Sequence, residues 1–223
     1  MIRRDLAAAS AAILALGAAA SAAPRPYTLD LGHAHVGWQT DHLGLSSTVG
    51  TFTDFDGTFL IDEADPAASS IRFTVRTASI DSNHEGRDNH LRAADFLDAA
   101  TYPEMTFTST AIEMTSETEG KVTGDLTMHG VTAPLTLDFR LTRDRTYPSF
   151  LPNYDELRVV GFEAEGVVDR TKHGMTSVSF PGSPVPDEIA LDIHFDLVDC
   201  EGAPDTNVPC NWGRTPGFEG PSE

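Results

Sequence analysis

Basic side chains are scarce: 15 Lys and Arg stand against 34 Asp and Glu in 223 residues, a formal net charge of −19. That balance excludes a protein that grips a nucleic-acid backbone, because such grip comes from cations that displace counterions from phosphates. An anionic membrane surface is excluded as a partner on the same ground. Cysteine is nearly absent, with two in the chain, so a thiolate metal site lacks its second pair of soft ligands. No serine stands in a Gly-x-Ser-x-Gly context, no cysteine lies near a histidine in sequence, and no glycine loop is spaced to cradle phosphate. After the first two dozen residues no apolar run reaches the roughly 20 residues that span a bilayer, which excludes stable insertion by a helix. What is present is ample apolar material, 40% of the chain, enough to exclude a disordered polymer and to build one large domain or two small ones.

The first residues read as an address. Arg3 and Arg4 precede an apolar stretch from Leu6 to Ala20, and Ala20-Ser21-Ala22 is a small-x-small cleavage pattern, so residues 1–22 are expected to be a signal peptide. It holds two Arg and one Asp, which leaves a mature chain of 13 basic and 33 acidic side chains, 13 − 33 = −20. The address implies export to the periplasm. There Cys200 and Cys210 can oxidise and are expected to form a disulfide that tethers the tail, residues 199–223.

Between residue 23 and residue 198 the dominant signal is alternation with a period of two. Ile71, Phe73 and Val75 alternate with Arg72, Thr74 and Arg76; Leu135, Leu137, Phe139 and Leu141 with Thr136, Asp138, Arg140 and Thr142; and Ile189 to Leu197 do the same. Each run puts its apolar set on one face of a strand and its polar set on the other. Weaker versions cover Met105–Ile112, Lys121–Met128 and Arg158–Val168. Turn chemistry is expected at Asp65-Pro66, Glu119-Gly120 and His129-Gly130. Phe52 and Phe55 fall on opposite faces of an uninterrupted strand, which predicts a bulge or bend near Asp54–Gly57.

Asn89–Ala99 instead has helical spacing, with Asp88 placed as N-cap and Tyr102-Pro103 as a stop. Arg143–Glu156, with Tyr147, Phe150 and Tyr154, reads as a long hairpin connection. About eight antiparallel strands and one short α-helix make either a sandwich or a closed barrel. Closure removes the edge strands, and an eight-stranded barrel either packs its interior or holds one elongated ligand.

Several motifs resemble the YceI-like family of exported bacterial proteins. They are His42-Leu43-Gly44, Val49-Gly50-Thr51-Phe52, Phe55-Asp56-Gly57, Asp65-Pro66 with Ser69-Ser70-Ile71, and Ala78-Ser79-Ile80-Asp81. Arg87-Asp88-Asn89-His90-Leu91-Arg92, Asp95-Phe96, Tyr102-Pro103 and Gly124 through Thr132 follow in order, so the likeness covers roughly Tyr27 to Leu197. The resemblance implies a lipocalin-like, eight-stranded antiparallel β-barrel holding a long apolar chain of the polyisoprenoid class, with no catalytic residues and no cofactor. The chain departs from the pattern at Ala34-His35, at Arg170 through Gly174, and in its Cys-bearing tail.

Two constellations point elsewhere. His33 and His35 would share a face of a strand, a geometry for two ligands of one metal ion, but no third ligand has a fixing position. Arg87, Asp88 and His90 mix a cation, a carboxylate and an imidazole, yet a helix cap with Arg87 or Arg92 paired to Asp95 or a strand carboxylate explains them structurally. The charged positions Arg72, Arg76, Asp138, Arg140, Asp192 and Asp196 require water. Phe73, Phe107, Leu126, Leu137, Phe139, Phe162, Ile193 and Phe195 are therefore expected to face inward and, with Trp38 and Phe52, to contact the ligand. The Trp38–Leu45 and Tyr147–Tyr154 segments are expected at the mouth. The expected partner is an isoprenoid-like or other long-chain amphiphilic lipid, the expected role a non-enzymatic carrier, and a homodimer is the expected form of self-association.

Overall fold

In a computed structural model of the protein, residues 23–148, 150, 157–201 and 210 are described. The expected signal peptide, most of the tail and residues 151–156 of the expected hairpin connection lie outside them. The alternating segments form strands β1 (Arg25–His42), β2 (Ser46–Phe52), β3 (Phe55–Ile61), β4 (Ser70–Arg76) and β5 (Ile80–Asp81). After helix α1 (Glu85–Leu91) come β6 (Glu104–Met114), β7 (Glu119–Met128), β8 (Val131–Thr146), β9 (Arg158–Asp169) and β10 (Glu188–Val198).

All pairings are antiparallel. The sheet runs β1-β3-β4-β6-β7-β8-β9-β10 and returns to β1, a closed barrel of eight strands with one short α-helix. Strand β1 serves three neighbours. It pairs with β10 over Thr28–Asp30 and His35–Gln39, gives Arg25–Tyr27 to β3, and gives Val36–His42 to β2, which carries β5 on its far side. A register shift between Asp30 and His35 lets one strand bend around both functions.

The His129-Gly130 turn stands as expected, and several other local expectations are corrected. The parity break at Phe52 and Phe55 is a change of strand: β2, between β1 and β5, ends at Phe52, and after Thr53-Asp54 the chain starts β3, between β1 and β4. Gly120 lies inside β7, and the turn is one step earlier, where Thr115 and Ser116 N–H donate to Glu119 O. His129 and Gly130 both have positive φ, 52° and 73°, as the two-residue hairpin between β7 and β8 requires. Strand β8 continues to Thr146, with a bulge between Leu141 and Arg143, so the connection to β9 is shorter than the sequence suggested. The helix begins at Glu85 and ends at Leu91; residues 92–101 make tight turns.

His84, not Asp88, caps the helix by accepting from Arg87 N at 3.1 Å. Asp88 is buried and accepts from the backbone N–H and hydroxyl of Ser82, interactions that hold its carboxyl below the ordinary range. Arg87 donates to Ser82, and Arg92 to the carbonyls of Ala78 and Ile80, so neither arginine meets Asp95; His90 does, at 2.7 Å. These groups lock the β5–β6 connection over one end of the barrel. No helix among the described residues is long and apolar enough to cross a membrane.

Candidate functional site

Strand directions define two ends. At one, β1, β4, β7 and β9 finish, and the connection carrying α1 folds inward so that Leu91, Phe96 and Leu97 border the interior. At the other, Arg25, Asp144, Arg158 and Asp199 cluster with the Cys200–Cys210 disulfide, whose Cα atoms are 5.8 Å apart. Trp38–Leu45 and Tyr147 therefore lie at opposite ends; residues 149 and 151–154 of the second segment expected at the mouth lie outside the described residues.

Between the ends runs a cavity of about 480 Å³, within the range of small-molecule sites and lined almost wholly by carbon. All ten side chains expected to face a ligand border it. Eight of them, all but Trp38 and Leu137, are only half-buried although they point inward. In a solid core their inner faces would be covered by facing side chains; here they front open space. Toward the tail end, rings from β3, β4, β9 and β10 meet across the interior: Phe195 lies 5.3 Å from Phe59, 5.7 Å from Phe162 and 6.3 Å from Phe73. Toward the α1 end the wall is Trp38, Ile80, Leu97, Met105, Met128 and Met175.

The Trp38 indole lies over Gly50 of β2, its cross-strand partner. A Cβ there would come within 2.3 Å of the ring, so the glycine is what admits the indole. Sequence reasoning missed Thr40, two residues on and on the same face, because nothing in periodicity distinguishes an inward hydroxyl from a tolerated one.

A second missed feature is the ionic rim at the tail end. Glu63 accepts from Tyr27 Oη at 2.5 Å and Arg25 at 3.0 Å, and also from Arg158; Arg158 in turn grips Asp144 through two nitrogens at 2.9 and 2.6 Å. The hydrogen bond from Arg158 leads the effects that draw the Glu63 carboxyl down to about 2, against burial. Burial, then the Glu63 contact, pushes the Tyr27 phenol up to about 12. The partners come from β1, the β3–β4 connection, β8 and β9, separations no local pattern could reveal.

The histidines do not gather. His33 Nδ1 meets buried Asp30 at 2.9 Å, whereas His35 lies beyond the β1 bulge with its ring 6.2 Å from His194. Among the described residues no three His, Cys, Asp or Glu side chains are grouped to hold a metal ion. Asp196, expected in water, is half-buried, and desolvation raises its carboxyl.

Comparison with known proteins agrees with this architecture. The YceI-like domain matches residues 27–197. Protein YceI of Escherichia coli O157:H7 is 46% identical over 152 residues, covering 67% of this chain and 76% of that protein. A UPF0312 protein of Pseudomonas putida (strain GB-1) is 51% identical over 131 residues, 56% of this chain and 68% of that protein. Among solved structures, the Campylobacter jejuni YceI protein superposes with a TM-score of 0.63 at 30% identity, over 71% of this chain and 89% of that one. A polyisoprenoid binding domain from Saccharophagus degradans gives 0.53 at 14% identity, over 80% and 98%, a likeness of fold.

Proposed function

This chain belongs to the YceI-like family, and from that premise we propose that it is an exported, non-enzymatic carrier that holds an isoprenoid-like amphiphilic lipid inside its barrel. The observation that carries the reading is the hollow interior: about 480 Å³ bordered by half-buried aromatic and aliphatic side chains within a closed sheet. Each methylene moved from water into such a space contributes about 0.8 kcal/mol, so ten contribute about 8 kcal/mol before the chain's ordering is subtracted. The polyisoprenoid binding domain of Saccharophagus degradans, built on the same fold, supports this ligand class. Export is supported by the basic start, the apolar stretch and the Ala20-Ser21-Ala22 pattern. A net charge of −20 without residues 1–22, 13 basic against 33 acidic side chains, keeps the protein off anionic lipid surfaces, so transfer runs through solution.

The test is native mass spectrometry of protein recovered from its export compartment, followed by organic extraction. One long-chain lipid per protein is expected. A ligand-free mass, together with no uptake of added polyprenol, would refute the proposal.

A further inference from the structure

We propose that the lipid held here is uncharged and carries an oxygen acceptor, such as a ketone, ester or amide carbonyl, seated against Trp38 Nε1 and Thr40 Oγ1 at the α1 end; this rests on the carrier reading above. Both atoms are buried and neither has a hydrogen-bond partner among the described residues. Trp38 is 8% exposed, and both side chains border the cavity from one face of β1. A buried indole N–H left unpaired is unfavourable, and native structures rarely leave one so. The indole packs closely on Gly50 and borders the cavity. Relief comes from the cavity side, where Met105, Met128 and Met175 form a wall that can repack around an entering group.

The indole only donates, so its partner must accept; the threonine hydroxyl supplies a second donor. The acceptor must also be neutral. Arg170, the cation bordering this end, already donates to the carbonyls of Pro186, Met175 and Val185 and to Asp187. An anion placed here would be buried without a counter-charge. The opposite end is no better for an anion, because Arg25 and Arg158 are met there by Glu63, Asp144, Asp199 and Glu201. A phosphate entering that rim would have to displace carboxylates that outnumber the cations two to one.

The experiment titrates the delipidated full chain with three probes: farnesylacetone, the hydrocarbon in which its carbonyl is a methylene, and farnesyl phosphate. Displacement of a fluorescent alkyl probe reports affinity, and the Trp38 indole N–H resonance, assigned with Trp38→Phe, reports contact. The ketone is expected to bind about fivefold tighter than the hydrocarbon and to move the Trp38 signal, with farnesyl phosphate weaker than the ketone. Thr40→Val and Trp38→Phe are each expected to lower the ketone preference toward one. Equal binding of ketone and hydrocarbon with an unmoved indole signal, or tightest binding of farnesyl phosphate, would overturn this inference and leave the carrier reading standing. Binding of none of the three would overturn both.

Discussion

Replacing Ala164 by Trp sends an indole from β9 into the middle of the barrel, where Ala164 is buried, pairs with Phe139 and Ile193, and borders the cavity. If the interior is hollow, the ring enters existing space. A Trp side chain buries roughly 150–250 Å², worth about 4–6 kcal/mol at about 25 cal/mol per Å², less about 1 kcal/mol for lost rotamers. Even if half the contacts are imperfect, the delipidated variant should be as stable as the wild type or more stable by about 1–2 kcal/mol. In a filled core the same change is overpacking and costs about 1–3 kcal/mol. The two accounts therefore differ in sign. Urea denaturation of delipidated wild type and Ala164→Trp measures the difference, and displacement of a fluorescent alkyl probe measures whether the space has been taken. The account expects unchanged or raised stability with probe binding lost. A fall in stability of more than about 1 kcal/mol with probe binding retained would refute the reasoning that the middle is open.

Three further outcomes follow from the residues around it. Glu63, ordinarily titrating near 4.5 and drawn down to about 2 in the fold, stabilises the barrel above pH 4.5, and that contribution is lost as pH falls toward 2. Glu63→Gln should therefore lower Tm at pH 7 and flatten the Tm profile between pH 4.5 and 2, as read by circular dichroism melts. Asp196 has the opposite sign: desolvation raises its carboxyl, so its ionised form opposes folding above the folded pKa and contributes nothing below 3.8. Asp196→Asn should raise Tm at pH 7 and leave it unchanged at pH 3; equal shifts at both would remove the electrostatic cause. Gly130→Ala places a Cβ at φ 73° and within 2.4 Å of the Tyr102 ring. It should destabilise by about 1–2 kcal/mol or more in urea titration.

The alternating runs through β4, β8 and β10 made the strands and their inward faces legible, because a period of two leaves no choice of face once the charges are required to meet water. Thus alternation alone directs Phe73, Leu137 and Ile193 inward, and they line the cavity. Asp196 shows the limit of that logic. It does lie on the outer face, opposite Asp30 across β10 and β1, but the bend in β1 and the reach of Tyr147 to Asp30 at 2.9 Å cover the patch. The helix start is not legible in sequence because Asp88 has the chemistry of a cap, while the true cap is an imidazole accepting from the backbone. The rim formed by Tyr27, Glu63 and Arg158 was invisible for a different reason: its members are up to 131 residues apart and meet only when the barrel closes. Openness of the interior is likewise a property of closure and side-chain size together, and no strand taken alone encodes it.

Magnetisation transfer from a uniformly ¹³C-labelled polyprenol to the methyl groups of Leu126, Leu137 and Ile193 in otherwise deuterated protein tests the central idea most directly. The account predicts contacts from the polyprenyl chain to all three inward methyls, at one lipid per protein. Contacts restricted to exposed groups such as Leu43, Leu45 and Val131, with none to the inward set, would contradict it.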